Sequence, residues 1–174
     1  MEGNMSDGQC CAADRNKAVV RRLVEEVVNR GNTDLLNELV AADHVGHDPL
    51  GDHYGPEGMR IVVVEYRTAF PDLAVTIEDL VAEGDTVSWR FTLRGTHAGP
   101  FMGIPPTGRE VAASGIAIDR LVDVGQIVES WCSLNALDLL RQVGATPVMR
   151  QPAEAARSGT ISPVLGAISG SRQQ

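Results

Sequence analysis

The feature that most constrains this chain is a change of hydrophobic period at Phe70-Pro71. Upstream, apolar residues recur at helical spacing; downstream they alternate, as in half-buried strands. Ala18, Val19, Leu23, Val27 and Val28 form one helical stripe, which Asp14 can cap and Gly31 can end. Asn32 or Thr33 opens a second, short helix carrying Leu35, Leu36, Leu39 and Val40. Residues 44–48 read as a short strand stopped by Pro49, and LGDHYG reads as a polar loop. Pro56 suits the first turn of a third helix, which stops before Pro71. Residues 74–83, 86–96, 111–123 and 126–134 then read as strands, and 135–142 as a last helix with Gly144 beyond it. Helices segregated from a run of strands predict an α+β domain, its three N-terminal helices packed on one face of a curved, mostly antiparallel sheet.

The chain has 174 residues, enough for one domain with its own core. Residues 1–14 read as a flexible leader, 15–146 as the domain and 147–174 as a disordered tail. The tail's one apolar stretch, around 161–168, is broken by Pro163 and Gly166; docking of that stretch is the alternative. A net charge of −8 disfavours nucleic acid and anionic membranes, which call for a basic face. No apolar run approaches the ~18 residues of a membrane span, and the N-terminus has no signal-peptide pattern. The three cysteines (Cys10 and Cys11 adjacent, Cys132 remote) do not make a disulfide framework. Reduced thiols and a cytoplasmic setting are expected.

Alternation assigns the strand faces. In 86–97 the odd positions Val87, Trp89, Phe91, Leu93 and His97 should look at the helices, which puts Arg90 and Arg94 on the other face. In 111–123, Val111, Ala113, Gly115, Ala117 and Asp119 share one face; its small residues would leave room for a ligand or for a close-packed helix. In 126–134, Ser130 and Cys132 share a face opposite Glu129 and Trp131.

Several strings then accumulate: FPDL at 70–73, EGDTV at 83–87, RGTHAGPFMGIPPTGRE at 94–110, and VESW at 128–131 ahead of LLRQVG at 139–144. With these the chain resembles the SnoaL-like polyketide (ester) cyclases of the NTF2-like superfamily, over roughly 15–146. The resemblance implies an NTF2-like cone with a central pocket, a small-molecule substrate, frequent homodimers and no cofactor. It also implies aldol ring closure with a carboxylate as general acid and base directly after the tryptophan, where this chain has Cys132. A second resemblance, of VGHDPLG at 45–51 to ketosteroid isomerases of the same superfamily, falls on Asp48 as the proton-shuttling aspartate. The isomerase's second acid would fall near Ala117 and its oxyanion tyrosine near Val24, so neither carries over.

The candidate catalytic residues are therefore Asp48, His97 and His47. Asp48 is either a turn residue before Pro49 or a carboxylate in an apolar cavity, where desolvation would suit it to act as a base. Only one of the neighbours His47 and Asp48 should point inward. His97 is either a structural histidine or the group that polarises a substrate carbonyl. Trp89, Phe91, Met102, Ala117, Asp119, Ser130 and Cys132 are the candidate pocket lining. Cys132 reads first as a small core residue, and Asp119 with Arg120 as an exposed strand-end pair. His44, His47 and His53 match no zinc spacing, so no metal is expected. The expected function is cofactor-independent cyclisation or isomerisation by proton transfer next to a carbonyl. The alternatives are a non-catalytic binding or accessory module, and an epoxide hydrolase or dehydratase that activates water with paired carboxylates.

Overall fold

The structure, a computed structural model, describes residues 6–49, 51–122 and 125–144. The expected tail lies outside the described residues, as do the first five residues. Helix α1 (Ser6–Arg22) continues as wider π-type turns over Leu23–Asn29. The helix thus begins before Asp14, which pairs with Lys17 (2.7 Å) instead of capping. Ala12 and Ala13, strong helix formers, extend it in that direction. The buried stripe is Val20, Leu23, Val24 and Val27. Gly31 ends the helix at φ +76°, a conformation that favours glycine. A 3-10 turn (Thr33–Leu35) leads into α2 (Leu36–Leu39).

Six strands form one sheet in the order β2-β1-β6-β5-β4-β3. They are β1 (Val40–Asp48), β2 (Gly51–Tyr54), β3 (Ala74–Glu83), β4 (Thr86–Thr96), β5 (Glu110–Leu121) and β6 (Ile127–Leu134). Every neighbouring pair is antiparallel except β1 and β6, which run parallel with His47 opposite Trp131. Strand β2 stands where the sequence suggested only a loop. GDHY shows no alternation, and its pairing is earned through the backbone ladder to β1, Val45 to Tyr54 and Gly46 to His53. Helix α3 (Gly55–Ala69) carries Pro56 in its first turn, and α4 (Ala136–Val143) starts at Asn135, whose side chain accepts from the Asp138 N–H (3.2 Å).

The helices cover one face of this sheet. Val20, Leu36, Leu39, Val63, Val87 and Ile127 belong to one buried cluster, and Tyr66, Phe70, Phe91, Leu93, Phe101 and Leu139 to a second. Burying a side chain of this size is worth about 1.5–3 kcal/mol, so these clusters dominate the stability. Burial along β5 alternates strictly from Val111 to Leu121, as the face assignment anticipated. Four polar residues are also buried among the described residues: Asn16, His44, His97 and Asp119. Two of them, His44 and Asp119, belong to the site described next.

Candidate functional site

Strand register fixes which side chains meet on the inner face. One row crosses the sheet as Cys132, Ala117 and Trp89, on β6, β5 and β4. Asp48 ends β1 one residue past the His47–Trp131 pair, which sets it beside Cys132. Asp48 and Cys132 also reach the edge of an open groove of about 630 Å³ whose other walls include His47, Ile118 and Trp131, on the outer face of the sheet. The neighbouring row is His53, Gly46, Ser130 and Asp119, on β2, β1, β6 and β5. The His53 ring lies over Gly46: a Cβ there would come within 2.2 Å of it. In the same way the Phe91 ring covers Gly115, 2.3 Å from where a Cβ would stand.

A hydrogen-bonded chain runs along the second row. Trp89 Nε1–H donates to Asp119 Oδ2 (2.7 Å), Ser130 Oγ–H donates to Asp119 Oδ1 (2.6 Å), and His44 Nε2 lies 3.1 Å from Ser130 Oγ. The ring of His53 stands 5.6 Å from that of His44. His44 Nδ1 and both ring nitrogens of His53 are buried without a hydrogen-bond partner among the described residues.

Electrostatics follows from this enclosure. Burial raises the pKa of Asp119, opposed by the hydrogen bonds from Ser130 and Trp89. Burial, then the charges of Asp48 and Asp119, pushes the Cys132 thiol up to about 12, so at neutral pH it is a neutral thiol. Burial lowers His44 to about 4, helped by repulsion from His53, and burial lowers His53 against the pull of Asp48 and Asp52. Tyr66, in the buried stripe Met59, Val63, Tyr66 of α3, is raised by burial and then by Asp48 and Cys132.

The expected site residues separate accordingly. Asp48, Trp89, Phe91, Ala117, Asp119, Ser130 and Cys132 share the inner face. His47 does not: it points to the outer face, where it stacks on Trp131 (5.6 Å) and meets Asp52 (3.1 Å) and Glu129 (3.3 Å). Alternation allows only one of the two neighbours inward, and it is Asp48. His97 is buried but remote, eight residues beyond Trp89 and so roughly 25 Å along the strand direction. It bonds Thr107 Oγ1 through Nδ1 (3.0 Å) and packs on Phe70, and the ring contacts from there to Tyr66 pass through Phe101. Met102 is 53% exposed at the tip of the 97–109 loop, away from the inner face. Asp119 is not the exposed strand-end residue its neighbour Arg120 suggested; it is 3% exposed, because the alternation of β5 carries through to its last turn of pleat. His44, His47 and His53 cannot converge on one ion, since His47 lies on the opposite face.

Tyr66, His44 and His53 were not singled out from sequence as members of this site. The signal for His44 was present: His44, Gly46 and Asp48 alternate on one strand face. Tyr66 continues the apolar stripe of α3, which does not distinguish a core ring from a pocket phenol.

Comparison with known proteins agrees with this architecture. The family model for SnoaL-like polyketide cyclases matches residues 18–143. The chain is 32% identical over 133 residues to the aklanonic acid methyl ester cyclase DnrD of Streptomyces peucetius, covering 72% of this chain and 88% of that one. It is 31% identical over 119 residues to the nogalonic acid methyl ester cyclase of Streptomyces nogalater, covering 67% and 88% respectively. Among solved structures, IdmH of Streptomyces antibioticus superposes with a TM-score of 0.66 at 36% identity, over 74% of this chain and 98% of IdmH. The SnoaL-like protein of Jannaschia sp. CCS1 gives a TM-score of 0.72 at 27% identity, over 78% and 96%. With its sheet, its covering helices and nearly its whole described length in common with these proteins, the chain is a member of the SnoaL-like polyketide cyclase family.

Proposed function

We propose that this protein is a cofactor-independent cyclase that closes a ring in a polyketide-like keto ester by proton transfer. The observation that carries this reading is the strand register that sets Asp48 beside Cys132, with both groups bearing electrostatically on the buried Tyr66 phenol. Asp48 takes the proton from the carbon between two carbonyls. Tyr66 O–H donates to the enolate oxygen as charge develops there. The enolate carbon bonds to a second carbonyl carbon, and the proton held on Asp48 passes to the alkoxide oxygen. The net change is one new C–C bond and one proton moved from carbon to oxygen. Cys132, neutral between two carboxyls, fills the position of the family's usual carboxylate without ionising. Asp48 thus stands in for that group from the adjacent strand, and Tyr66 takes the part first expected of His97.

The relatives named as methyl ester cyclases support the reaction class. The apolar outer face around Trp131 and Ile118 supports a homodimer, and a reduced Cys132 with no membrane-length apolar helix among the described residues suits a cytoplasmic enzyme.

Solvent deuterium uptake tests the mechanism. The protein is incubated in D2O with β-keto esters and anthraquinone-type keto esters, and the acidic carbon is followed by NMR. Exchange above buffer that falls by roughly 10²-fold or more in Asp48→Asn is the expected result. Binding without exchange in the wild type would instead identify a non-catalytic binding module. A water-activating hydrolase or dehydratase is the second reading, favoured by one observation: Asp119 is a second carboxyl facing inward, across β6 from Asp48. The product mass separates the two: hydrolysis adds one water, dehydration removes one, and an aldol closure leaves the mass unchanged.

A further inference from the structure

The mechanism above leaves one buried polar assembly unused, the chain from Trp89 through Asp119 and Ser130 to His44. Its donors and acceptors can be counted. Trp89 Nε1–H only donates, so Asp119 Oδ2 accepts in every state. When Asp119 is ionised, Ser130 must donate to Oδ1, and the Ser130 oxygen can only accept from His44. His44 then carries its proton on Nε2, and Nδ1 is bare. When Asp119 is protonated on Oδ1, it donates to Ser130, Ser130 donates to His44 Nε2, and His44 must carry its proton on Nδ1. The two states differ by one proton. It enters at His44 Nδ1, the Nε2 proton moves to Ser130 Oγ, and the Ser130 proton moves to Asp119.

We propose that His44, Ser130 and Asp119 form a proton relay in which the tautomer of His44 and the protonation of Asp119 change together. His44 and Ser130 are positioning residues: they act on the reaction through the charge they leave on Asp119, which lies across β6 from Asp48 and, like it, bears on Cys132. This role rests on the cyclase reading, but the coupling within the relay does not.

Three observations favour a relay over an inert strut. The contacts of 2.6 and 3.1 Å are continuous from carboxyl to imidazole. Gly46, with no side chain, leaves the space between Ser130 and β2 to the imidazole of His53. His44 Nδ1, where the proton must enter, is buried and unpartnered among the described residues, with the two bare nitrogens of His53 in the neighbouring ring. The other charged groups bearing on this end are Asp43 and His47 from β1, and Asp48 and Asp52, which act on His53.

The test is 15N NMR of the histidine rings in the full chain, which reads the tautomer directly. In the wild type, His44 should pass from Nε2–H to Nδ1–H as the pH falls and Asp119, its pKa raised by burial, takes up its proton. Asp119→Asn copies the protonated state, because its amide donates to Ser130; His44 should then be Nδ1–H throughout. Ser130→Ala should uncouple the two, and Ser130→Thr should restore the coupling. In turnover, Ser130→Ala should move upward the midpoint in the pH profile that matches the tautomer change, by removing a donor to the ionised carboxylate, with Thr returning it. A His44 tautomer that is constant with pH in the wild type, or the same in Asp119→Asn as in the wild type at high pH, overturns the relay. A relay intact by NMR in a protein that shows no exchange or turnover would leave the coupling standing and remove the cyclase reading instead.

Discussion

Cys132 shows how much a neighbourhood decides about a side chain. Placed between two carboxyls and pushed up to about 12, it should react with iodoacetamide far more slowly at neutral pH than an ordinary thiol, and at the ordinary rate in denaturant. Peptide mapping separates it from Cys10 and Cys11; native labelling as fast as that of a free cysteine would contradict the enclosure. His44 makes a second prediction. Its folded pKa of about 4 lies below the unfolded value of 6.5, so in that window the unfolded chain binds the proton more readily. The stability this group contributes should therefore be fully present above about pH 6.5 and fall as pH drops through the window, by up to about 3 kcal/mol, with His53 acting in the same direction and the raised carboxyl of Asp119 in the opposite one. Denaturant midpoints that show the same pH dependence in the wild type and in His44→Gln would sink the assignment. At this scale the sequence was only partly legible. Alternation assigned Asp119, Ser130 and Cys132 their faces, but nothing local said whether His47 or Asp48 turned inward. That choice is made by Trp131 and Glu129 on β6, adjacent in the sheet but far along the chain, which hold His47 outside.

Between elements the contacts are tight enough to be tested one atom at a time. A methyl group at Gly46 would press into the His53 ring at 2.2 Å and push β2 off β1. Gly46→Ala should cost about 1–3 kcal/mol, and adding His53→Ala should return most of it, a non-additivity that a double-mutant cycle measures. Additive effects would mean that the strand pair adjusts without cost. In the 97–109 loop, Met102 is held at φ +49° with its side chain exposed. Met102→Gly removes a penalty of about 1–2 kcal/mol and should raise the melting temperature slightly, less the extra entropy glycine brings to the unfolded chain. Strands β3 and β4 were readable to the residue because β4 alternates throughout, β3 alternates on either side of a bulge between Ile77 and Asp79, and a glycine turn joins them. Strand β2 was not, because four polar residues carry no pattern and only the ladder from β1 makes them a strand.

For the molecule as a whole, the outer face carries an exposed apolar patch that fits the proposed dimer. Ile116 (55% exposed), Ile118 and Trp131 lie side by side there, and Ile118 is paired directly with Trp131. With each chain at −8, association has to overcome like-charge repulsion that salt screens. Light scattering should therefore show a dimer strengthened by added salt, and Ile116→Glu with Ile118→Glu should give monomers. A wild type that stays monomeric at high salt would show that this face is not an interface. The parallel seam between β1 and β6 has another outcome, felt while the protein is being made. His47 and Trp131 are neighbours in the sheet but lie far apart in the chain, so β1 has no partner on that side until β6 has been synthesised. Asp48, His44 and Ser130 are brought together across that same seam. A nascent chain leaving the ribosome thus carries helices and an open sheet edge well before it carries a working site. Chaperone demand and the onset of activity should both be timed by the emergence of β6.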